Sequence, residues 1–114
     1  MIHVIEKRAT PEQMKQMLEP LGTYVKLAVD IERGILAGGG LLHADCEAAL
    51  LETGSDQAHV WGASWLPLTQ EISYKSLINI RPRRGNLSME IGDAAIRRAI
   101  DETTRRLLER VDYE

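Results

Sequence analysis

The 114-residue chain has a single cysteine, no phenylalanine and no long apolar run. Each shortage excludes something. One cysteine cannot close an internal disulfide, so a packed core must hold the fold, and a reducing cytoplasm is the expected compartment. The apolar runs are too short to span a bilayer, so no membrane association is expected. The N-terminal Met1-Ile2-His3-Val4-Ile5-Glu6-Lys7-Arg8 lacks the apolar centre of a secretion signal. Two Trp and three Tyr leave a mainly aliphatic core and few stacking platforms for single-stranded nucleic acid. A formal net charge of −3 argues against a generally basic nucleic-acid binder. The Gly-rich nucleotide signatures, HExxH and paired-cysteine motifs are all missing.

What is present suits one domain over residues 1–114. The hydrophobic fraction of 44% and charged fraction of 27% are those of a folded globular chain. Ile2–Ile5 predicts an opening strand. Thr10-Pro11-Glu12-Gln13 predicts a helix start with a capping box, and Met14, Met17, Leu18 and Leu21 supply its apolar stripe until Pro20 and Gly22 stop it. From Tyr24 to Glu32 apolar and polar residues alternate, with Val25, Leu27, Val29 and Ile31 on one face of a strand. Ala58–Leu66 and Glu71–Arg81 predict two further strands, the second stopped by Pro82, and Leu87–Ile91 a short edge strand. Asp93 caps a last helix over about 93–110. Its Asp101–Arg105 and Glu102–Arg106 spacings predict ion pairs. The order predicts an α+β fold, a mainly antiparallel sheet with two helices packed on one face.

The least ordinary stretch is Gly38-Gly39-Gly40-Leu41-Leu42-His43-Ala44-Asp45-Cys46-Glu47. Its glycines predict a bulge or a strand crossing rather than a phosphate loop. Residues 41–52 carry both patterns. Leu42, Ala44, Cys46 and Ala48 alternate as in a strand, whereas Leu42, Cys46, Ala49 and Leu50 form a helical stripe. The regular alternation favours a strand. His43, Asp45 and Glu47 then share an outward face and become candidate catalytic residues, and His43 and Asp45 with Asp30 and Glu32 become candidate ligands for a divalent metal. Cys46 is a further candidate, a buried hydrophobe in a strand or an acidified thiol in the first turn of a helix, with His43 or His59 as its base. Arg81, Arg83 and Arg84 with Asn79 and Asn86 make the densest cationic cluster outside the last helix. They are candidates for binding an anionic small molecule, or for locking the fold by pairing with Asp45, Glu47 or Glu90.

The Val29-Asp30-Ile31-Glu32-Arg33, Ala37-Gly38-Gly39-Gly40, His43-Ala44-Asp45-Cys46-Glu47 and Ile78-Asn79-Ile80-Arg81-Pro82-Arg83 segments carry a resemblance over nearly the whole chain. It resembles a small prokaryotic family catalogued only as a domain of unknown function. The resemblance implies a stand-alone domain and supplies no activity, cofactor or functional residue.

The leading expectation is a non-catalytic binding or interaction protein that forms a homo-oligomer, because the sheet face away from the helices is polar without a recognisable catalytic set, and, if Trp61 and Trp65 lie on it, a symmetric dimer would cover them. The rival is a small enzyme, metal-assisted or not. It would act on a phosphorylated or carboxylated molecule through His43, Asp45 and Glu47 opposite Arg81. Nucleic-acid binding through Arg81–Arg84 is a third reading, disfavoured by the acidic surroundings.

Overall fold

Alternating apolar residues build the centre of the sheet. In the computed structural model, which describes residues 1–113, five strands form one antiparallel sheet. They are β1 (His3–Ile5), β2 (Val25–Asp30), β3 (Ile35–Gly38), β4 (Val60–Leu66) and β5 (Glu71–Ser73). Their spatial order is β1-β3-β2-β4-β5. Strand β2 lies at the centre, with Leu27 opposite Gly38 on one side and Ala63 on the other. Three helices accompany the sheet among the described residues: α1 (Pro11–Leu18), α2 (His43–Glu52) and α3 (Ala94–Leu108).

The α+β class and the antiparallel sheet are as the sequence predicts, but the layering differs. Helices α1 and α3 share a main core with Val25, Leu27, Val29, Leu36, Trp61, Ala63 and Trp65. Helix α2 covers the opposite face, where Cys46 and Leu50 pack with Ala28, Ile35, Ala37 and Val60. The sheet therefore lies between helical layers, and the expected pair of helices on one face is corrected to helices on both. Small side chains explain the second layer. Ala28 and Ala37 sit side by side in register, and a methyl surface lets a helix lie close to the strands.

Local chemistry accounts for two helix starts. The Thr10 Oγ1 accepts from the Gln13 N–H at 3.1 Å, and the Gln13 Oε1 accepts from the Thr10 N–H at 2.9 Å, closing the expected capping box. Asp93 Oδ1 accepts from the N–H groups of Ala95 and Ile96, at 2.8 and 3.2 Å. The Asp101–Arg105 pair forms at 2.9 Å. Arg106 instead donates to the Gly34 carbonyl at 2.6 Å and ties α3 to the β2–β3 turn.

Three expectations fail locally. Residues 43–52 are helical, not a strand. The strand expected over Glu71–Arg81 keeps its ladder only to Ser73. Beyond it Ser76 Oγ accepts from the Ile78 N–H at 3.3 Å and starts a 3₁₀ turn at Leu77–Asn79. Another 3₁₀ turn follows at Pro82–Arg84. The expected edge strand at Leu87–Ile91 pairs through a single bridge, Glu90 with Lys75. The triple glycine ends β3 and turns the chain towards α2. A Cβ on Gly38 would stand 2.8 Å from Leu27 Cδ2, and one on Gly39, at φ +102, would strike the Met1 carbonyl. Close approach and a left-handed backbone, not phosphate, explain these glycines.

Candidate functional site

Strand β5 covers β4 only from Ser64 to Leu66. The rest of that edge, Val60 to Gly62, is covered by side chains from residues 75–92. Asn79 is fully buried. Its Oδ1 accepts from the Gly62 N–H at 2.8 Å, and its Nδ2 donates to the Gly62 carbonyl at 2.9 Å. The same Nδ2 also lies 3.2 Å from the Tyr74 and Met89 carbonyls. Arg81 continues the seal. Its guanidinium donates to the carbonyls of Val60, Gln57 and Ile78 and lies 4.5 Å from the centre of the Trp61 ring. It also pairs with Glu47 of α2 at 3.5 Å. Burial draws the Arg81 pKa down from its usual value, and the Glu47 carboxylate opposes that shift. Asn86 braces the loop, donating to the Asn79 carbonyl at 2.7 Å and accepting from Gly92 N–H at 2.9 Å.

Three of the five residues expected to bind an anion, Asn79, Arg81 and Asn86, are thus engaged in holding the edge. Arg84 is half committed: it donates to the Ala58 carbonyl at 2.8 Å and lies 5.7 Å from the Trp61 ring centre. Arg83 is exposed and has no hydrogen bond or ion pair among the described residues. These arginines line an open cleft of about 830 Å³ with Glu47, Asp56, Leu77 and Ile80. Glu47 is held by Arg81, and Asp56 Oδ1 accepts from Ala58 N–H at 2.9 Å. Glu47 is thus paired with Arg81 and Asp56 caps the 3₁₀ turn with one oxygen, while Arg83 has no partner among the described residues.

The helical state of residues 43–52 rearranges the expected triad. Successive helical residues rotate by about 100°, so neighbours two apart diverge and those four apart share a face. His43 and Glu47 point towards the sheet side of α2, while Asp45 is exposed. His43 Nε2 lies 2.9 Å from the Ala63 carbonyl and 3.4 Å from Ser64 Oγ. A carbonyl only accepts, so Nε2 carries the proton and donates to it. That tautomer leaves Nε2 no lone pair with which to take a proton from Ser64, and the pair is not wired for nucleophilic attack. Burial lowers the His43 pKa below its usual value. The hydrogen bond to Ala63 partly opposes this, and the charge of Lys26 adds to it.

Cys46 is helical but not activated. It is fully buried, its thiol donates to the Lys26 carbonyl at 3.4 Å, and desolvation pushes its pKa up. His59 lies in a 3₁₀ turn before β4, and the Cys46 thiol bonds to the Lys26 carbonyl rather than to it. Asp30 is buried at the end of β2, where its Oδ1 accepts from the N–H groups of Glu32 and Arg33, both at 3.0 Å. Glu32 is exposed in that turn. Among the described residues no three His, Cys, Asp or Glu side chains converge as a metal site. The structure does not bring His43, Asp45, Asp30 and Glu32 together. Trp61 and Trp65 are in the main core, so they form no exposed face for a partner.

The sequence reading missed Gly62 as a partner of Asn79. A glycine inside the strand Trp61-Gly62-Ala63 was the available signal, because such a glycine marks close approach of another chain segment. A Cβ at Gly62 would stand 2.5 Å from Ser76 Cβ. Among the described residues no helix is long and apolar enough to cross a membrane.

Comparison with known proteins places the chain. A family model described as "Protein of unknown function (DUF5674)" matches residues 3–107, and the chain belongs to that family. No curated protein and no solved structure matches it.

Proposed function

We propose that this member of the DUF5674 family is a non-catalytic binding protein that takes an anionic group at the Arg83–Arg84 cleft. One observation carries the reading: Arg83 is exposed and unpaired at a cleft where Glu47 is already paired with Arg81. The neighbouring Arg81 is pinned to three backbone carbonyls, so the loop is preorganised for its free arginine. A guanidinium fork suits a phosphate or carboxylate. The exposed Leu77 and Ile80 add apolar contact at the same cleft. A non-catalytic role is supported by the His43 tautomer and the buried Cys46 thiol. Self-association through the tryptophans is no part of the proposal, since both lie in the core.

The test is a titration with inorganic phosphate and with citrate at constant ionic strength, followed by amide NMR. Saturable shifts at Arg83, Arg84 and Gly85 are expected. Arg83→Ala should weaken binding about tenfold, the worth of one charge-assisted hydrogen bond. Shifts confined to other parts of the chain, or binding indifferent to Arg83, would remove the reading. Retention of DNA or RNA that falls steeply with salt and depends on both arginines would replace it with nucleic-acid binding.

A further inference from the structure

On the other side of the Leu77–Ile78 turn lies a second, smaller cavity of about 310 Å³, between the start of α2 and residues 75–78. Its walls include Leu42, Leu77, Ile78 and Met89, and its only charged lining residues are Lys26 and Lys75. No carboxylate lines it. Neither lysine makes an ion pair among the described residues. Lys26 Nζ donates to the Leu41 carbonyl at 3.0 Å, a neutral acceptor that leaves its charge uncompensated. Lys75 is exposed and has no side-chain partner. Of the two remaining polar lining residues, His43 has its Nε2 proton committed to the Ala63 carbonyl, and Ser76 Oγ accepts from the Ile78 N–H.

Surface lysines ordinarily share their neighbourhood with carboxylates, and this chain has more acidic than basic residues, 17 against 14. Two lysines over an apolar cavity whose lining holds no acid are thus a local reversal of the chain's charge; Glu90, opposite Lys75 in its bridge, pairs with Arg97. We propose that this cavity is a binding site for a small anion with an apolar tail, the tail seated against Leu77, Ile78 and Met89 and the headgroup between Lys26 and Lys75. The apolar walls reward the tail by burial. The two ammonium groups act as point charges rather than a planar fork, so they accept a carboxylate or a phosphate ester. The volume sits at the small end of ligand cavities, roughly 300–1,000 Å³, and selects short chains over long ones. This site does not rest on the Arg83 reading, since neither lysine lines the arginine cleft.

The experiment compares octanoate, octyl phosphate and 1-octanol on the full chain by amide NMR, below the critical micelle concentration of each. Saturable shifts at Ala44, Ile78 and Met89 are expected for the anions, with 1-octanol binding about tenfold more weakly for want of a charge-assisted contact. The tighter of the two anions identifies the headgroup. Lys75→Met should remove that advantage without affecting the fold, because the side chain has no partner to lose. Lys26→Met should also remove the advantage, at the cost of the hydrogen bond to the Leu41 carbonyl. Equal binding of 1-octanol, anion binding unchanged by Lys75→Met, or no saturable shift at these amides with either anion would overturn the assignment.

Discussion

The side-chain amide of Asn79 stands in for a strand beside Gly62, accepting from its N–H at 2.8 Å and donating to its carbonyl at 2.9 Å. A sheet edge otherwise left open is sealed by this side chain together with Arg81 at the Val60 carbonyl, and open edges invite pairing with other chains. The same contact holds the Leu77–Asn79 turn against β4. Both candidate binding cavities share Leu77 and Ile78 of that turn. A structural lock and the proposed sites are therefore one construction.

Asn79→Ala leaves the Gly62 N–H without its partner and takes the donor from the Gly62, Tyr74 and Met89 carbonyls. Each buried group left unsatisfied costs about 1–3 kcal/mol, and a loss of about 3 kcal/mol is expected overall. Asn79→Asp should lose more, since it keeps the acceptor, removes the donor and buries a charge. Urea unfolding measures both.

Gly62→Ala should destabilise by about 1–3 kcal/mol through overpacking. The added methyl would meet Ser76 Cβ at 2.5 Å and Ile78 Cγ1 at 2.9 Å. Combining it with Ser76→Gly removes the nearer obstacle, so the double variant should recover part of the loss. A double-mutant cycle by urea unfolding reads the coupling.

Stability should depend on pH through His43. Its folded-state pKa lies below the usual 6.5 because burial disfavours the imidazolium. Between that lowered value and about 6.5 the unfolded chain binds more protons, so stability rises with pH there. It falls as pH drops through about 6.5, levels off below the folded value, and has no slope from this group above about 6.5. His43→Gln, which can still donate to the Ala63 carbonyl, should flatten the urea midpoint across pH 5–7. The histidine ring resonances give the folded pKa directly.

Cys46 should resist alkylation. It is fully buried and its thiol is pushed above the ordinary value, so little thiolate forms and none is accessible. Iodoacetamide labelling followed by mass spectrometry should be slow in buffer and complete in denaturing urea. Rapid labelling of the native protein would contradict the placement of α2 against the sheet.

Much of the frame was legible because local chemistry and periodicity agreed. Thr10 and Gln13 form their capping box, Asp93 caps α3, and Val25, Leu27 and Val29 face the core. The segment 41–52 was not legible. Only Cys46 and Leu50 of α2 are fully buried, and this sparse stripe competes poorly with an apolar alternation through Leu42, Ala44 and Ala48. The candidate site was legible as a set of arginines near Glu47, one of the pairings the sequence suggested. Which arginine remained free was not, because that depends on carbonyls of Gln57, Ala58 and Val60 reached across the fold.

The sequence by itself determined the helix caps at Thr10 and Asp93, the alternating strand at the sheet centre and the glycine positions, since each follows from backbone geometry and nearest neighbours. Only the tertiary structure decided that α2 is a helix, that Tyr74–Arg81 leaves the ladder, and that Asn79 is buried against Gly62 while Arg83 is left open. The physical reason is a single one. Those outcomes depend on what fills the second face of the sheet and the uncovered edge of β4, and the residues that fill them lie 17 or more positions away in the chain.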